Sequence, residues 1–161
     1  MKWKQIGIVA GMSVLLFGSS LCVSAEEIEP AGYHIYEVNE DQVSDTWYGI
    51  ARGDYLQGAV AKLKIGSAPK YAICSGTTLA HRACDRVYTR IYLDQSDNGQ
   101  DGWWTVNYWT ATTYNNSTST ATSGEYEVTR DKYYRVKGSH SVTEGDIVEA
   151  TTTCTNAIYF D

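Results

Sequence analysis

The sequence predicts an all-β protein, an antiparallel β-sandwich of seven strands with an immunoglobulin-like architecture. Three observations predict this class. Apolar and polar residues alternate with period two in several stretches after residue 58, turn residues separate these stretches, and no window shows the period of an amphipathic helix. The last third of the chain is the most regular part, with two long stretches on either side of Glu144-Gly145.

The first predicted strand covers residues 59–65, where Ala59, Ala61, Leu63 and Ile65 alternate with more polar residues and a turn containing Pro69 follows. The other six cover residues 70–75, 87–94, 102–110, 125–129, 133–142 and 147–160. Residues 114–123 are polar and of low complexity, which predicts a mobile surface crossover between the two sheets.

The first hairpin has a predicted register. A two-residue turn at Asn98-Gly99 places residues opposite each other when their numbers add up to 197. Leu93 then faces Trp104, Ile91 faces Val106 and Thr89 faces Tyr108 on the inward side. The same register points a second set of residues outward, and it includes Tyr88 with Trp109, Tyr92 with Thr105, and Asp94 with Trp103.

The last hairpin is predicted to have a five-residue loop at residues 143–147, which pairs Val142 with Val148, His140 with Ala150, and Val136 with Cys154. Near the start of this hairpin, Tyr134 precedes the core position Val136 by two residues. This is the spacing of the tyrosine corner in immunoglobulin-like sandwiches, whose hydroxyl ties the corner to upstream backbone.

The N-terminus predicts secretion. Met1 to Lys4 is a short basic segment, residues 6–23 are apolar, and Val23-Ser24-Ala25 offers small residues for cleavage. We therefore assign residues 1–25 to a signal peptide, 26–58 to an acidic N-terminal arm and 59–161 to the β-sandwich domain, with a secreted, extracellular location. The mature form is expected to carry no membrane anchor.

The charge balance excludes some partners. Loss of Lys2 and Lys4 lowers the basic count from 13 to 11 against 19 acids, a net charge of about −8. A surface this acidic repels phosphate backbones, which argues against nucleic acid as a partner. It also argues against anionic membranes and wall polyanions unless a cation bridges them. The 13 tyrosines and five tryptophans against two phenylalanines favour half-buried strands or wet binding faces.

Three cysteines follow the predicted cleavage site, and at least one disulfide is expected outside the cell. A Cys74–Cys84 bridge closes a short loop between consecutive strands and is the pairing we expect. Cys74–Cys154 and Cys84–Cys154 stay open as alternatives.

Several short motifs occur in order and resemble a family: Arg52-Gly-Asp-Tyr-Leu56, Ser75-Gly-Thr-Thr78, Cys84-Asp-Arg-Val-Tyr88 and Tyr133-Tyr-Arg-Val-Lys-Gly-Ser-His140, followed by Glu149-Ala-Thr-Thr-Thr153. Together they are similar to small secreted proteins of Gram-positive bacteria filed as a domain of unknown function. The resemblance covers about residues 50–160 and leaves the acidic arm outside. It implies a secreted all-β domain and transfers no catalytic residue.

The most informative predicted surface is the outward face of the third and fourth strands. Four aromatic rings with two polar residues between them form a flat platform of the kind on which sugar rings or protein hot spots pack. Its residues are Tyr88, Arg90, Tyr92, Trp103, Asn107 and Trp109. The competing interpretation is that the acidic arm covers this face, since cross-strand aromatic pairs also stabilise sheets without a ligand.

No pattern supports a catalytic site, a metal or a cofactor. Asp94, Asp97, Asn98 and Asp101 cluster in one loop, but their spacing is not that of an EF-hand. His81 lies near Cys84 with too few further ligands for zinc, and His140 falls on the inward face as a core histidine. A cysteine–histidine nucleophile pair conflicts with the expected disulfide.

These observations predict a secreted, non-catalytic binding module that recognises an extracellular carbohydrate or protein through the aromatic strand face. A cell-surface structural module is the first alternative, and a small secreted hydrolase is the second. The sequence does not specify the ligand or the oligomeric state.

Overall fold

The computed structural model describes residues 27–50 and 55–161, and the predicted signal peptide lies outside these residues. The described chain contains nine strands and no helix. The strands are β1 Glu27–Ile28, β2 Gly32–Val38, β3 Gln42–Gly49, β4 Leu56–Ile65, β5 Tyr71–Ser96, β6 Trp104–Glu127, β7 Lys132–Glu144, β8 Ile147–Cys154 and β9 Ile158–Phe160.

All nine strands belong to one sheet. Seven of them follow one another in the order β1-β8-β7-β5-β4-β3-β2, and β6 and β9 lie off this path. The strand β6 pairs with β5, and β9 pairs with β7. The short β1 runs parallel to β8, whereas the other pairs are antiparallel, so the sheet is mixed.

The long strand β5 organises the sheet because its two halves have different neighbours. Its first half pairs with β4 and with the second half of β6. Its second half, from Arg86 to Ser96, pairs with β7 and with the first half of β6. The register between β5 and β6 is irregular from Leu79 to Cys84, where the two halves meet. The strand β5 thus changes its neighbours midway along its length, and the sheet curls into a half-barrel.

Two buried carboxylates connect strands that are far apart in the sheet order. Asp45 on β3 accepts a hydrogen bond from the backbone N–H of Cys154 on β8 at 2.7 Å. Glu149 on β8 accepts one from the backbone N–H of Leu56, the first residue of β4, at 2.6 Å. Because β8 and β3 lie near opposite ends of the sheet, these bonds hold the curled shape.

The concave side is filled by two groups of buried side chains. The larger group surrounds Leu63, Ile91, Leu93 and Val136, and the smaller one includes Trp47, Leu56, Val87 and Val142. The alternation of residues along β5 explains its contribution, since every second side chain from Val87 to Leu93 is fully buried. Burial of each Val, Leu or Ile side chain contributes about 1.5–3 kcal/mol, so these groups are the main source of stability.

Polar side chains also occupy the interior. The ring of His140 is fully buried and is hydrogen-bonded to Thr78 through Nδ1 and to Thr153 through Nε2, each at 2.9 Å. Thr78 is bonded to Thr89 at 2.7 Å, and Thr89 donates to the carbonyl of Ser119. This series of hydrogen bonds links residues from four strands, and the imidazole of His140 can form its two bonds in the neutral state. Desolvation lowers the pKa of His140 from 6.5 to about 4.

Gly138 makes room for this polar chain. A side chain at this buried position would collide with the ring of His140 and the hydroxyl of Thr153. The small residue is therefore required by a close approach.

The predicted hydrogen bonds between the hydroxyl of Tyr134 and upstream backbone are present. The hydroxyl of Tyr134 donates to the carbonyl of Thr129 at 3.0 Å or to Gln95 at 2.7 Å, and it accepts from the N–H of Thr129 at 3.0 Å. The ring is buried and packs edge-on against Phe160. These bonds fix the turn that leads into β7.

The predicted all-β class is confirmed. The architecture differs from the expected seven-stranded sandwich, because the described strands form one curled mixed sheet of nine. Two details explain the difference. Residues 71–96 and 104–127 are each one long strand, and the predicted mobile crossover at residues 114–123 lies inside β6. Residues of the predicted acidic arm form β1, β2 and β3, and β2 and β3 extend the sheet beyond β4.

The predicted register of the β5–β6 hairpin is wrong. Ile91 faces Trp109 and Leu93 faces Asn107, which is a shift of three residues from the prediction. The reason is the turn: residues 97–103 form a longer loop with positive φ at Gly99 and Gly102. The side chain of Asn98 ties this loop by accepting from the backbone N–H groups of Gln100 and Asp101. An odd shift exchanges the two faces of a strand.

The predicted register of the last hairpin is wrong by one residue. Glu144 faces Ile147 across a tight turn at Gly145-Asp146, and Lys137 faces Cys154. This register turns Glu149, Thr151 and Thr153 inward, where all three are buried. Apolar residues of β8 were expected on this side, but polar groups can be buried when they find hydrogen-bond partners inside.

The predicted Cys74–Cys84 disulfide is absent. Cys74 and Cys84 are buried free thiols, and Cys154 is a half-buried free thiol. The prediction assumed two short strands joined by a turn. Instead, Cys74 and Cys84 lie on the same strand in different parts of the core, and a strand rises roughly 3.3 Å per residue.

Candidate binding face

The outward surface of β5, β6 and β7 carries a cluster of aromatic and basic side chains, which we call the aromatic face. Tyr88, Arg90 and Tyr92 alternate along β5 with buried residues and are half-buried themselves. Tyr108 on β6 is opposite Tyr92 and is 56% exposed, and the two rings lie 6.4 Å apart. The period of a strand therefore places three tyrosines on one side of the sheet.

Arg90 lies at the centre of these rings. Its guanidinium carbon is 5.0 Å from the ring centroid of Tyr108 and 5.9 Å from those of Tyr88 and Tyr92. These distances allow cation–π attraction, which orders both the cation and the rings. Among the described residues, Arg90 forms no ion pair with an acid. In the described part of the chain, aromatic ring faces and not carboxylates surround its charge.

A buried carboxylate lies at the end of the aromatic face that is formed by the last residues of β5. Asp94 contacts the Nζ of Lys137 at 3.0 Å and the Nε of Arg135 at 3.5 Å, and it accepts a hydrogen bond from Thr105 at 2.7 Å. The side chain of Asp94 is only 2% exposed. Arg135 in turn stacks on Trp103, with 4.2 Å between the guanidinium carbon and the ring centroid. Asp94 thus positions both cations.

A cavity of about 430 Å³ opens beside the tyrosines. Its walls come from β5, β6, β7 and β8, and they combine one ring, one cation, one thiol and several hydroxyl groups. The side chains that line it are Tyr92, Thr105, Lys137, Ser139, Thr152, Thr153 and Cys154. Such a mixture of apolar wall and hydrogen-bonding groups can hold a small polar molecule or one unit of a polymer.

The structure brings together four of the six predicted face residues. Tyr88, Arg90 and Tyr92 lie side by side, and Trp103 is connected to them through Arg135 and Asp94. Asn107 and Trp109 lie on the opposite side, because they face Leu93 and Ile91. Trp109 packs edge-on against Tyr126 at 5.3 Å and contacts the core.

Sequence reasoning missed Tyr108, Arg135 and Lys137 as members of the face. Tyr108 was predicted to point inward, and the shift of three residues explains the error. The basic residues could have been found from the alternation in β7, where Arg135 and Lys137 flank the buried Val136.

The histidines and thiols of the described residues have the following surroundings. His34 Nδ1 is 2.8 Å from the buried carboxylate of Asp45, which resembles the orienting half of a triad, but no hydroxyl or thiol is bonded to its ring among the described residues. Burial raises the pKa of Cys74 to about 12 and raises the pKa of Cys84 and of Cys154. A thiol with a raised pKa is a poor nucleophile.

The acids of the predicted loop cluster diverge. Asp94 contacts Lys137, Asp97 binds Lys132 at 2.7 Å, and Asp101 accepts from Asn98 at 2.6 Å. In the described part of the chain, no group of three or more His, Cys, Asp or Glu is arranged to hold a metal ion. The described residues likewise include no helix with the length and apolar character needed to cross a membrane.

The fold and the aromatic face define a class, an all-β protein with a cluster of tyrosines and cations on the outside of a curled sheet. A scan of family models matched residues 21–158 to a family of unknown function, DUF6147, and the chain belongs to that family. The searches of curated proteins and of solved structures found no match.

The family match confirms the resemblance to a domain of unknown function. The match also corrects the extent of the resemblance, because the matched residues include the whole acidic segment, 26–58, which the resemblance left outside. This agrees with the position of β2 and β3 as integral strands of the sheet.

Proposed function

We propose that the chain is a secreted, non-catalytic binding module that recognises an extracellular carbohydrate or protein through the aromatic face. The observation that carries this proposal is the set of Tyr88, Tyr92 and Tyr108 around Arg90 on the outside of the sheet. A tyrosine ring offers a large apolar surface at low entropic cost together with a hydroxyl for hydrogen bonding.

The neighbouring strands support the proposal. In the described part of the acidic segment, β2 and β3 lie beyond β4 and β1 pairs with β8, so none of these strands pairs beside the tyrosines. The competing interpretation, in which the arm shields the face, would need this segment beside β5 and β6. The cavity next to Tyr92 adds a concave element to the flat face.

Secretion is part of the same proposal and rests on the N-terminal pattern of residues 1–25. The immunoglobulin-like relationship also stays a proposal. It is supported by the bonds of Tyr134 to Thr129, which have the geometry of a tyrosine corner.

A second candidate, a cell-surface structural module, is favoured by the free edge of β6. This strand has 24 residues and pairs only with β5 among the described strands. Residues 103–124 contain no charged residue and no proline. Charges and prolines normally protect an edge from pairing with another chain, so this edge suits self-association.

A paired set of variants separates binding from structure. Changing Tyr88 and Tyr108 to Ala together removes two rings of the face, and we expect it to abolish binding on a glycan or protein array while the unfolding midpoint stays near that of the wild type. The matched control is the double change of Tyr33 and Tyr48 to Ala. These tyrosines form an exposed cross-strand pair on β2 and β3, with centroids 5.7 Å apart.

Undiminished binding by the folded Tyr88→Ala/Tyr108→Ala variant would overturn the proposal. Self-association without a soluble ligand would favour the structural module instead. Changing Trp109 is not a suitable test, because its contact with the core makes loss of folding the expected result.

A further inference from the structure

We propose that the ligand of the aromatic face is an acidic carbohydrate whose sugar rings carry carboxylates. This inference rests on the proposed function and names its ligand class. The observation behind it is a separation of charge. Four bases lie on the outward side of β5 and β7, and among the described residues Asp94 is the acid that forms ion pairs with them, in a chain of net charge −6. The bases are Arg86, Arg90, Arg135 and Lys137, and the acid is Asp94.

The cations remain available because of how they are held. Asp94 is almost completely buried and contacts both Arg135 and Lys137, so it neutralises one of these charges and leaves the other. Arg86 stacks on Tyr88 at 5.0 Å, and Arg90 is surrounded by ring faces. Neither arginine has an acidic partner among the described residues.

Each arginine therefore lies beside a surface on which a sugar ring can stack. A guanidinium has paired N–H donors that match the two oxygens of a carboxylate. The hydrogen bonds and charge attraction would act on the acid group while the adjacent tyrosine contacts the ring. This combination distinguishes an acidic sugar from a neutral one, which would leave the cations without partners.

The cavity extends the same chemistry. Lys137 lies on its wall together with the hydroxyl groups of Ser139 and Thr152, which suits a sugar unit with hydroxyls and a negative charge. Ser139 and Thr152 also line a second cavity of about 130 Å³, whose wall carries two acids, Glu27 and Glu29. The positive charge therefore lies at Lys137 and the arginines, and the acids lie next to the hydroxyl groups.

The net negative charge of the chain is compatible with this assignment. The expectation that polyanions are excluded was based on the net charge of the whole chain. Charges separated by more than a Debye length, roughly 8 Å at physiological ionic strength, are largely screened, so the local cations determine short-range binding.

The test compares polygalacturonate with the same polymer after its carboxylates have been reduced to alcohols, by isothermal titration calorimetry on the full chain. We expect binding to polygalacturonate that weakens as salt is added, and at least tenfold weaker binding to the reduced polymer. Arg90→Gln and Arg86→Gln should each weaken binding about tenfold, as for the loss of a charge-assisted hydrogen bond. Arg90→Lys should recover part of the loss.

The matched control is Arg130→Gln, which makes the same change of charge at an exposed residue beside Ala68 and Pro69, away from the aromatic face. It should bind like the wild type. Equal affinity for both polymers would overturn the acidic-sugar inference and leave the proposed function standing. Stronger binding of inorganic polyphosphate, or no binding of polygalacturonate, would also overturn it, and the tyrosine variants would then test the proposed function on other ligands.

Discussion

Asp45 on β3 accepts a hydrogen bond from the backbone N–H of Cys154 on β8, at 2.7 Å, although the two strands are near opposite ends of the sheet. The same carboxylate is 2.8 Å from Nδ1 of His34 on β2. The residue is fully buried. One side chain therefore connects three strands and holds the sheet in its curled form.

Replacing Asp45 by Asn should destabilise the fold. The change replaces one of the two acceptor oxygens by an NH2 group and removes the charge, so either the N–H of Cys154 or Nδ1 of His34 loses its nearest carboxylate oxygen. A buried polar group left without a partner costs about 1–3 kcal/mol. We expect a loss of this size in the free energy of unfolding from urea titrations followed by tryptophan fluorescence.

The control for Asp45→Asn is Asp97→Asn, because Asp97 is an exposed acid paired with Lys132. Surface ion pairs contribute little, so the urea midpoint should not change. Equal midpoints for both variants would contradict the bridging role of Asp45.

The buried ring of His140 predicts a dependence of stability on pH. Its pKa is about 4 in the folded chain and about 6.5 when exposed. Between these values the unfolded chain binds a proton that the folded chain does not, so stability falls as pH decreases from about 6.5 to about 4. The pKa difference corresponds to about 3 kcal/mol over this window.

The pH dependence can be assigned with two variants measured by urea unfolding across this range. His140→Gln removes the titrating group, and its stability should be lower at neutral pH but flatter with pH. His81→Gln changes an exposed histidine and should keep the wild-type slope. If the His140→Gln and wild-type profiles run parallel, another group is responsible.

The alternation of apolar residues was enough to predict the all-β class and the burial of Leu63, Ile91 and Val136. It was not enough for the architecture. The stretch from Tyr114 to Ser123 is polar and repetitive, yet it continues β6, because backbone pairing with the long β5 does not need apolar side chains. A polar strand of low complexity cannot be distinguished from a loop by its amino-acid composition alone.

The candidate site shows the same limit. The residues of β5 were predicted to point outward and do so, since their positions depend only on local alternation. The partners on β6 depended on the turn, and a seven-residue loop in place of a two-residue turn exchanged Trp109 for Tyr108. In the last hairpin, the inward position of Glu149 depends on backbone donors of Tyr55 and Leu56, which are far away in the sequence.

The free thiols give a final prediction, which concerns Cys74, Cys84 and Cys154. In the native protein, alkylation by iodoacetamide at neutral pH should spare Cys74, because burial raises its pKa to about 12 and excludes the reagent. Cys154 is half-buried on the wall of the larger cavity and should react slowly. After unfolding in denaturant without a reducing agent, all three should be alkylated, as shown by mass spectrometry of proteolytic peptides. A parallel sample that is reduced first gives the same three adducts if no disulfide is present. Recovery of a linked peptide containing Cys74 and Cys84 would contradict the structure, since it would require β5 to separate into the two short strands that the sequence alone suggested.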